Sequence, residues 1–448
     1  MAEIKEINTK INFGSQSFKK YFLNTSWLFS QRVFKLLISF AINIYVIRYL
    51  GPADFGLLSY ALSFVGLFTA LSNLGLDNII IRELVNEPGK RDVLLGSTFF
   101  LKLFGAFISI IIIFITLFIT SEEKESSILI LIISASTIFQ TVNIIEFFFQ
   151  AKIKVKFSAI AQFVSLIVSA LLKVLLILLN APLIYFALAF TLEFLFIGIG
   201  FLIVYSIKEA ALFKWRFNKQ TASNLLKDSW PLTLSGLVIA VYMRIDQVMI
   251  KNMLSDQEVG YYAAAVRFTE AWYFIPTAIC TSLFPSIINA KKIDPLLYST
   301  RLQKLYDILT WLSYAVAVPL TIFSSFVVTL ILGKEYLPTA PVLTIYIWAA
   351  VPVSLGVASG QYLVNENFTK MSFYRTFAGM ICNVALNFIL IPVYGIIGSA
   401  LATLISYSAA TFSIGFSKKT YKQFLMMLKS ILMINLITAI YKRQIKFY

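Results

Sequence analysis

Apolar stretches of about 20–27 residues recur along almost the whole chain, the length an α-helix needs to cross a bilayer's hydrocarbon core. Inside hydrocarbon every backbone N–H and C=O must be bonded within the structure, so only helices or closed barrels can span. The stretches lack the weak ten-residue alternation of a barrel strand. Composition agrees: 59% of the 448 residues are hydrophobic and 13% are charged, against about 25% charged in a soluble domain. The chain therefore reads as an all-α integral membrane protein. Twelve spans are expected, over 26–50, 56–86, 93–120, 128–150, 158–180, 182–207, 231–252, 260–289, 305–332, 341–364, 371–392 and 395–417.

The longest internal connection, 208–230, is basic and divides the spans into two groups of six. The expected organisation is a polar, cytoplasmic segment over 1–25, a six-helix lobe over 26–207, the linker 208–230, a second lobe over 231–417 and a basic tail over 418–448. The tail contains "FLMMLKSILMINLITAIY" (424–441), which Lys429 and Asn435 interrupt; it reads as an interfacial helix, with a thirteenth span as the alternative. No cleavable signal peptide is visible, so the first helix is expected to insert uncleaved.

Net charge is +16. Lys and Arg fall almost entirely on one side of the spans: 23 lie in the N-terminal tail and even-numbered connections, and two, Lys124 and Lys334, in the odd-numbered ones. The positive-inside bias places the N-terminus and even connections in the cytoplasm. Nucleic-acid binding is not expected, because no soluble domain exists to carry it. The absence of His excludes imidazole acid–base chemistry and imidazole metal ligands. Cys280 and Cys382 both lie in apolar segments and call for no disulfide. Without a P-loop, ATP hydrolysis by the chain is not expected. The outside connections are too short to build an extracellular active site.

An internal repeat is visible. "SW" at 26–27 recurs at 229–230, and "LGPADFGLLSYA" (50–61) aligns with "LSDQEVGYYAAA" (254–265) at an offset of 204. Parallel repeats of this kind fit a two-lobed transporter.

Polar residues inside spans are costly and mark function or packing. In span 1, Arg32, Lys35, Ser39 and Asn43 fall on one helical face. In span 2, Ser59, Ser63, Gly66, Ala70, Asn73 and Asp77 form a stripe, which either lines a cavity or packs against a helix through small residues. Span 7 carries Arg244 and Asp246, two positions or about 200° apart. One of them is expected to face a cavity; the other, Asp246 on the preferred reading, pairs with a basic neighbour. Arg267 and Glu270 in span 8, at i,i+3, are expected to touch. Lys102, Lys173 and Glu193 are further intramembrane charges of undetermined facing. Pro276, Pro319 and Pro352 supply kinks. Basic groups equal or outnumber acidic ones in spans 1, 7 and 8, which favours an anion such as pyrophosphate.

Two blocks, "VIRYLGPADFGLLSYALSFVGLFTALSNLGLDNIIIREL" (46–84) and "YMRIDQVMIKNMLSDQEVGYYAAAVRFTEAWYFIP" (242–276), resemble the conserved blocks of bacterial polysaccharide-unit flippases. These are the O-antigen-type, lipid-linked oligosaccharide members of the multidrug/oligosaccharidyl-lipid/polysaccharide exporter superfamily. The resemblance implies two six-helix lobes around a central cavity; the residues themselves carry no enzyme signature and call for no cofactor. It implies export of an undecaprenyl-diphosphate-linked oligosaccharide across the cytoplasmic membrane by alternating access. Arg244 and Asp246 occupy the family's Arg/Lys–Ile–Asp position, and Arg267 its A-x-R element. Arg244 and Arg267, together with Arg32 and Lys35 from the polar face of span 1, are the candidate diphosphate-binding residues. Asn43, Asn73, Asp77, Asp246 and Glu270 are candidate cavity or ion-coupling groups. Membrane lipids, a polysaccharide polymerase and chain-length machinery are candidate partners. Two other readings stand beside it: a cation-coupled drug antiporter of the same superfamily, which would want an acid-rich cavity, and a glycan polymerase or ligase, against which the short outside loops argue.

Overall fold

The computed structural model describes residues 16–209 and 214–434, with side chains from Val33 onward. Sixteen α-helices carry the described chain: α1 Gln16–Asn73, α2 Asp77–Asn86, α3 Arg91–Thr120, α4 Lys124–Ser134, α5 Ser136–Gln140, α6 Ile144–Ala151, α7 Lys156–Leu178, α8 Leu183–Glu209, α9 Lys219–Met253, α10 Asp256–Trp272, α11 Phe274–Ile293, α12 Pro295–Ile331, α13 Thr339–Tyr346, α14 Ala350–Asn365, α15 Thr369–Phe412 and α16 Tyr421–Ile431. No strand occurs among the described residues.

Among the described residues, ten helical segments are long and apolar enough to cross a membrane. Two of them are too long for one crossing: Val33–Asn86 has 54 residues and Thr369–Phe416 has 48. At 1.5 Å per residue they run to about 70–80 Å, against about 30 Å of hydrocarbon. Each is broken by a glycine whose φ is positive, Gly51 at 72° and Gly395 at 59°. That backbone region is open to glycine at no Cβ cost, so the chain reverses there and each segment supplies two crossings. The count is about twelve, and the protein is a multi-pass membrane protein.

Other boundaries depart from the sequence expectation. Span 2 does not run unbroken to 86: Leu74 (φ 51°) and Gly75 (φ 62°) stop α1, and α2 restarts at Asp77. The polar stripe therefore ends before Asp77, which opens a new helix. A Cβ at Gly75 would lie 2.8 Å from Leu232 Cβ, so a side chain there is excluded by both space and φ. Helix α9 begins at Lys219, inside the expected linker, and runs through Pro231. The tail forms α16, 11 residues long, about half the length needed to span. Its Gln423 accepts a hydrogen bond from the Tyr306 hydroxyl at 3.0 Å, and its Ser430 donates to Asp307 at 2.6 Å. Residues 435–441 of the possible thirteenth span lie outside the described residues.

The chain packs as two compact units. One comprises residues up to Asn43, Thr69–Glu123 and Leu131–Thr233. Its core joins α2, α3, α6 and α8 through Leu84, Leu95, Phe148, Phe149, Phe201 and Tyr205. The Phe148 and Tyr205 rings meet edge to face at 5.3 Å. The second unit comprises Ile44–Phe68, Lys124–Ile130 and residues from Leu234 onward. Its core joins α11, α12, α14 and α16 through Phe284, Leu302, Leu305, Tyr306, Leu355 and Met427.

Within the second unit, the 204-residue offset reappears as a reciprocal contact. A Cβ on Gly56 would collide with the carbonyl oxygen of Asp256, and a Cβ on Gly260 with the carbonyl oxygen of Pro52. Gly56 corresponds to Gly260 and Pro52 to Asp256 under the repeat, so the two contacts are one contact made twice. Small residues suit this crossing, because helices in lipid gain from close backbone approach rather than from apolar burial.

Candidate functional site

The second unit gathers three of the expected charges. Arg244 on α9 runs its side-chain stem over Gly66, whose Cα hydrogens leave Arg244 Cγ 3.5 Å from a hypothetical Cβ. Three residues away on each helix, Ser63 donates to Gln247 Oε1 at 2.8 Å. The stripe of span 2 thus packs on α9 through its small and hydroxyl residues. Buried Ser59 belongs to the same stripe, its hydroxyl without a hydrogen-bond partner among the described residues.

Arg244 Nη1 reaches Glu270 Oε1 of α10 at 3.9 Å. That is an ion pair at its outer limit and too long for a hydrogen bond. The expected Arg267–Glu270 contact does not form: no carboxylate of a described residue lies within 4 Å of Arg267, and the Glu270 carboxyl faces Arg244 instead. Arg267 is half-buried. Arg244 alone pairs with Glu270, while Arg267 lies three residues before that carboxylate on α10, and neither guanidinium donates a hydrogen bond to a described residue. Each guanidinium carries five N–H donors in a planar fork suited to carboxylate or phosphate oxygens.

Asp246 is also placed otherwise than expected. It has no basic partner among the described residues. Its carboxylate is buried and accepts from the Tyr262 hydroxyl at 2.7 Å, the Thr403 hydroxyl at 2.7 Å and Asn387 Nδ2 at 2.8 Å. Asn387 in turn donates to Asn383 at 3.2 Å. Arg244 and Asp246 do point to different surroundings, as their angular separation requires. The neutral donors came from spans 8, 11 and 12. Their sequence signal was weak: Asn383 and Asn387 are i,i+4, and polar pairs at that spacing share a helix face.

In the first unit, Asp77 is held by Lys102 Nζ of α3 at 2.5 Å. Lys102 is nearly sealed, at 2% side-chain exposure, while Asp77 is 43% exposed. The ammonium also lies 4.8 Å from the centre of the Phe147 ring, a cation–π distance. Lys173 binds Glu193 at 2.7 Å, and Ser169 donates to the same oxygen at 2.8 Å. These charges are thus paired within their unit. Lys35 is exposed, and Asn43 and Asn73 are half-buried. Arg32 lies in α1, with its side chain outside the described residues.

Sequence reading passed over Arg375, seventh residue of α15. It is a half-buried arginine with hydrogen bonds to Ser359 Oγ (2.8 Å) and the Gly356 carbonyl (3.0 Å) and no carboxylate partner among the described residues. The criterion used for Arg244, a charge inside an apolar span, would have found it.

Comparison with known proteins gives consistent results. A family model described as polysaccharide biosynthesis protein matches residues 22–291. A probable flippase AglR of Haloferax volcanii is 32% identical over 187 residues, 39% of this chain and 37% of that protein. A probable low-salt glycan biosynthesis flippase, Agl15, of the same organism is 24% identical over 174 residues, 38% of this chain and 36% of that one. The chain spans less than half the length of the curated relatives it matches. Among solved structures, the lipid II flippase MurJ in an inward closed conformation aligns with TM-score 0.71 and 18% identity, covering 93% of this chain and 92% of that one. An inward-facing multidrug resistance transporter of the MATE family aligns with TM-score 0.69 and 14% identity, covering 88% and 96%. At these identities the solved structures establish the fold.

Proposed function

The chain belongs to the polysaccharide biosynthesis protein family, and from that premise we propose that it is a flippase for a prenyl-diphosphate-linked oligosaccharide. The undecaprenyl carrier expected from the sequence is the working form of that substrate. The observation that carries the proposal is the Arg244–Arg267–Glu270 cluster. It pairs Arg244 with Glu270 in apolar helices and leaves Arg267 without a carboxylate partner among the described residues, with fork donors left for phosphate oxygens. A drug antiporter for organic cations would want the opposite charge balance. Relatives named as flippases support the same reading.

In this mechanism Arg244 and Arg267 hold the diphosphate, while the saccharide follows it and the prenyl tail stays in lipid. Glu270 keeps the cluster from carrying two uncompensated charges when substrate is absent, since an unpaired charge at that depth is costly. Asp246, enclosed by neutral donors, is the candidate coupling carboxylate. An inside-negative potential favours outward movement of an anion by about 2.3 kcal/mol per charge per 100 mV.

The test is transport of lipid-linked oligosaccharide in cells lacking the gene and complemented with variants. Arg244→Ala is expected to lose most of the outward movement and to leave units on the cytoplasmic side, while Arg244→Lys retains part. Normal flipping by a well-expressed Arg244→Ala protein removes the phosphate role. Normal surface polysaccharide in a verified, non-redundant deletion removes the flippase reading itself.

A further inference from the structure

Arg375 opens onto a cavity of about 730 Å³ inside the second unit, apart from the Arg244 cluster's own contacts. Its wall is apolar for most of its extent, from Ile239 and Met243 on α9, Phe284 and Ile288 on α11, and Val353 and Val357 on α14. That volume lies within the range of small-molecule sites, about 300–1,000 Å³. Among the described residues no acidic residue lines it, and Arg375 is the one charged lining residue.

The local sequence makes room for the guanidinium. Gly356 and Gly360 are one helical turn apart on α14 and face α15. A Cβ at Gly360 would lie 2.9 Å from Arg375 Nη2, so any side chain there displaces the group. Two of the five guanidinium donors are used, one on Ser359 and one on the Gly356 carbonyl. Both acceptors are neutral. A guanidinium embedded in apolar surroundings without a carboxylate is normally compensated by some anion.

We propose that this cavity binds an anionic phospholipid, its phosphodiester on Arg375 and part of an acyl chain along the apolar wall. One fixed positive charge matches the single negative charge of a phosphodiester, and the remaining lining matches hydrocarbon. Arg375 lies six residues into α15, about 9 Å from the helix start. That start follows the 365–370 connection, cytoplasmic by the basic-residue bias, so the phosphate sits near the depth of inner-leaflet headgroups. The site is a resident lipid site and does not depend on the flippase reading.

The experiment is native mass spectrometry of the purified, delipidated full chain titrated with phosphatidylglycerol, with phosphatidylcholine and with inorganic phosphate. Phosphatidylglycerol is expected to bind at least about tenfold more tightly than phosphatidylcholine, the order of one charge-assisted contact. Arg375→Met is expected to erase that preference, and Arg244→Ala to leave it unchanged. Val357→Trp, which fills the cavity and keeps the charge, is expected to weaken phosphatidylglycerol binding; it carries the test if Arg375→Met does not fold by thermal melting. Equal binding of the two phospholipids, an unchanged preference in a folded Arg375→Met protein, or unchanged phosphatidylglycerol binding by Val357→Trp overturns the proposal. Saturation by inorganic phosphate alone assigns a free-anion site and overturns it too. Displacement of phosphatidylglycerol by farnesyl diphosphate at far lower concentration assigns the site to a prenyl diphosphate instead.

Discussion

The Asp77–Lys102 pair shows how unequal burial decides what one residue is worth. Lys102 is sealed and Asp77 is half open. Removing the carboxylate leaves a buried ammonium without its counter-ion, a loss of about 3–5 kcal/mol. Removing the ammonium leaves a carboxylate that water can still reach. Asp77→Asn is therefore expected to destabilise the protein clearly more than Lys102→Met, and the double variant Asp77→Asn/Lys102→Met to recover much of the loss. Thermal unfolding of the three variants in one detergent checks the order; equal effects of the two single changes would refute it. Asp77 and Lys102 each stood out in the sequence as a charge in an apolar run. Their pairing did not, because 25 positions separate the two and the helix break at Leu74 and Gly75 changes the face on which Asp77 emerges. The same holds for Asp246: its charge was legible, but its neutral donors lie up to 157 positions away, and no periodicity links them.

At the scale of elements, glycine decides where helices reverse and where they touch. The repeat in the sequence aligns Gly56 with Gly260, and the structure gives each the same collision with a carbonyl of the other repeat. Because the obstructing atoms are backbone, a methyl cannot be accommodated by a rotamer change. Gly260→Ala is expected to cost about 1–3 kcal/mol, the range for an overpacked site, read as a lower unfolding midpoint and reduced yield of folded protein. Gly89, with open space around its Cβ position, is the control, and its Ala variant should leave the midpoint near wild type. The crossings themselves were readable from hydrophobic length, since lipid leaves the backbone few choices. Their ends were not, because α9 begins early and continues through Pro231 while α1 stops at Asn73, under tertiary packing that composition does not reveal.

At the scale of the molecule, the bias of 23 basic residues against two makes a directional statement. On a background with Cys280 and Cys382 replaced, Lys334→Cys is expected to react with a membrane-impermeant maleimide in intact cells. Lys90→Cys, equally exposed in the fold, is expected to react only after permeabilisation. The reverse pattern would invert the topology and with it the direction of transport.

The doubled glycine contact has one more consequence. A residue that meets its partner's equivalent, and is met in return, has the geometry of an isologous dimer interface with a local two-fold axis. A free dimer would need about 1,200–2,000 Å² of buried surface to persist. Here both halves of the interface are on one chain, so the tether supplies the effective concentration that area would otherwise have to provide. A contact as small as two glycines on two carbonyls can then set the register between repeats, and a substitution at either glycine disturbs the same axis.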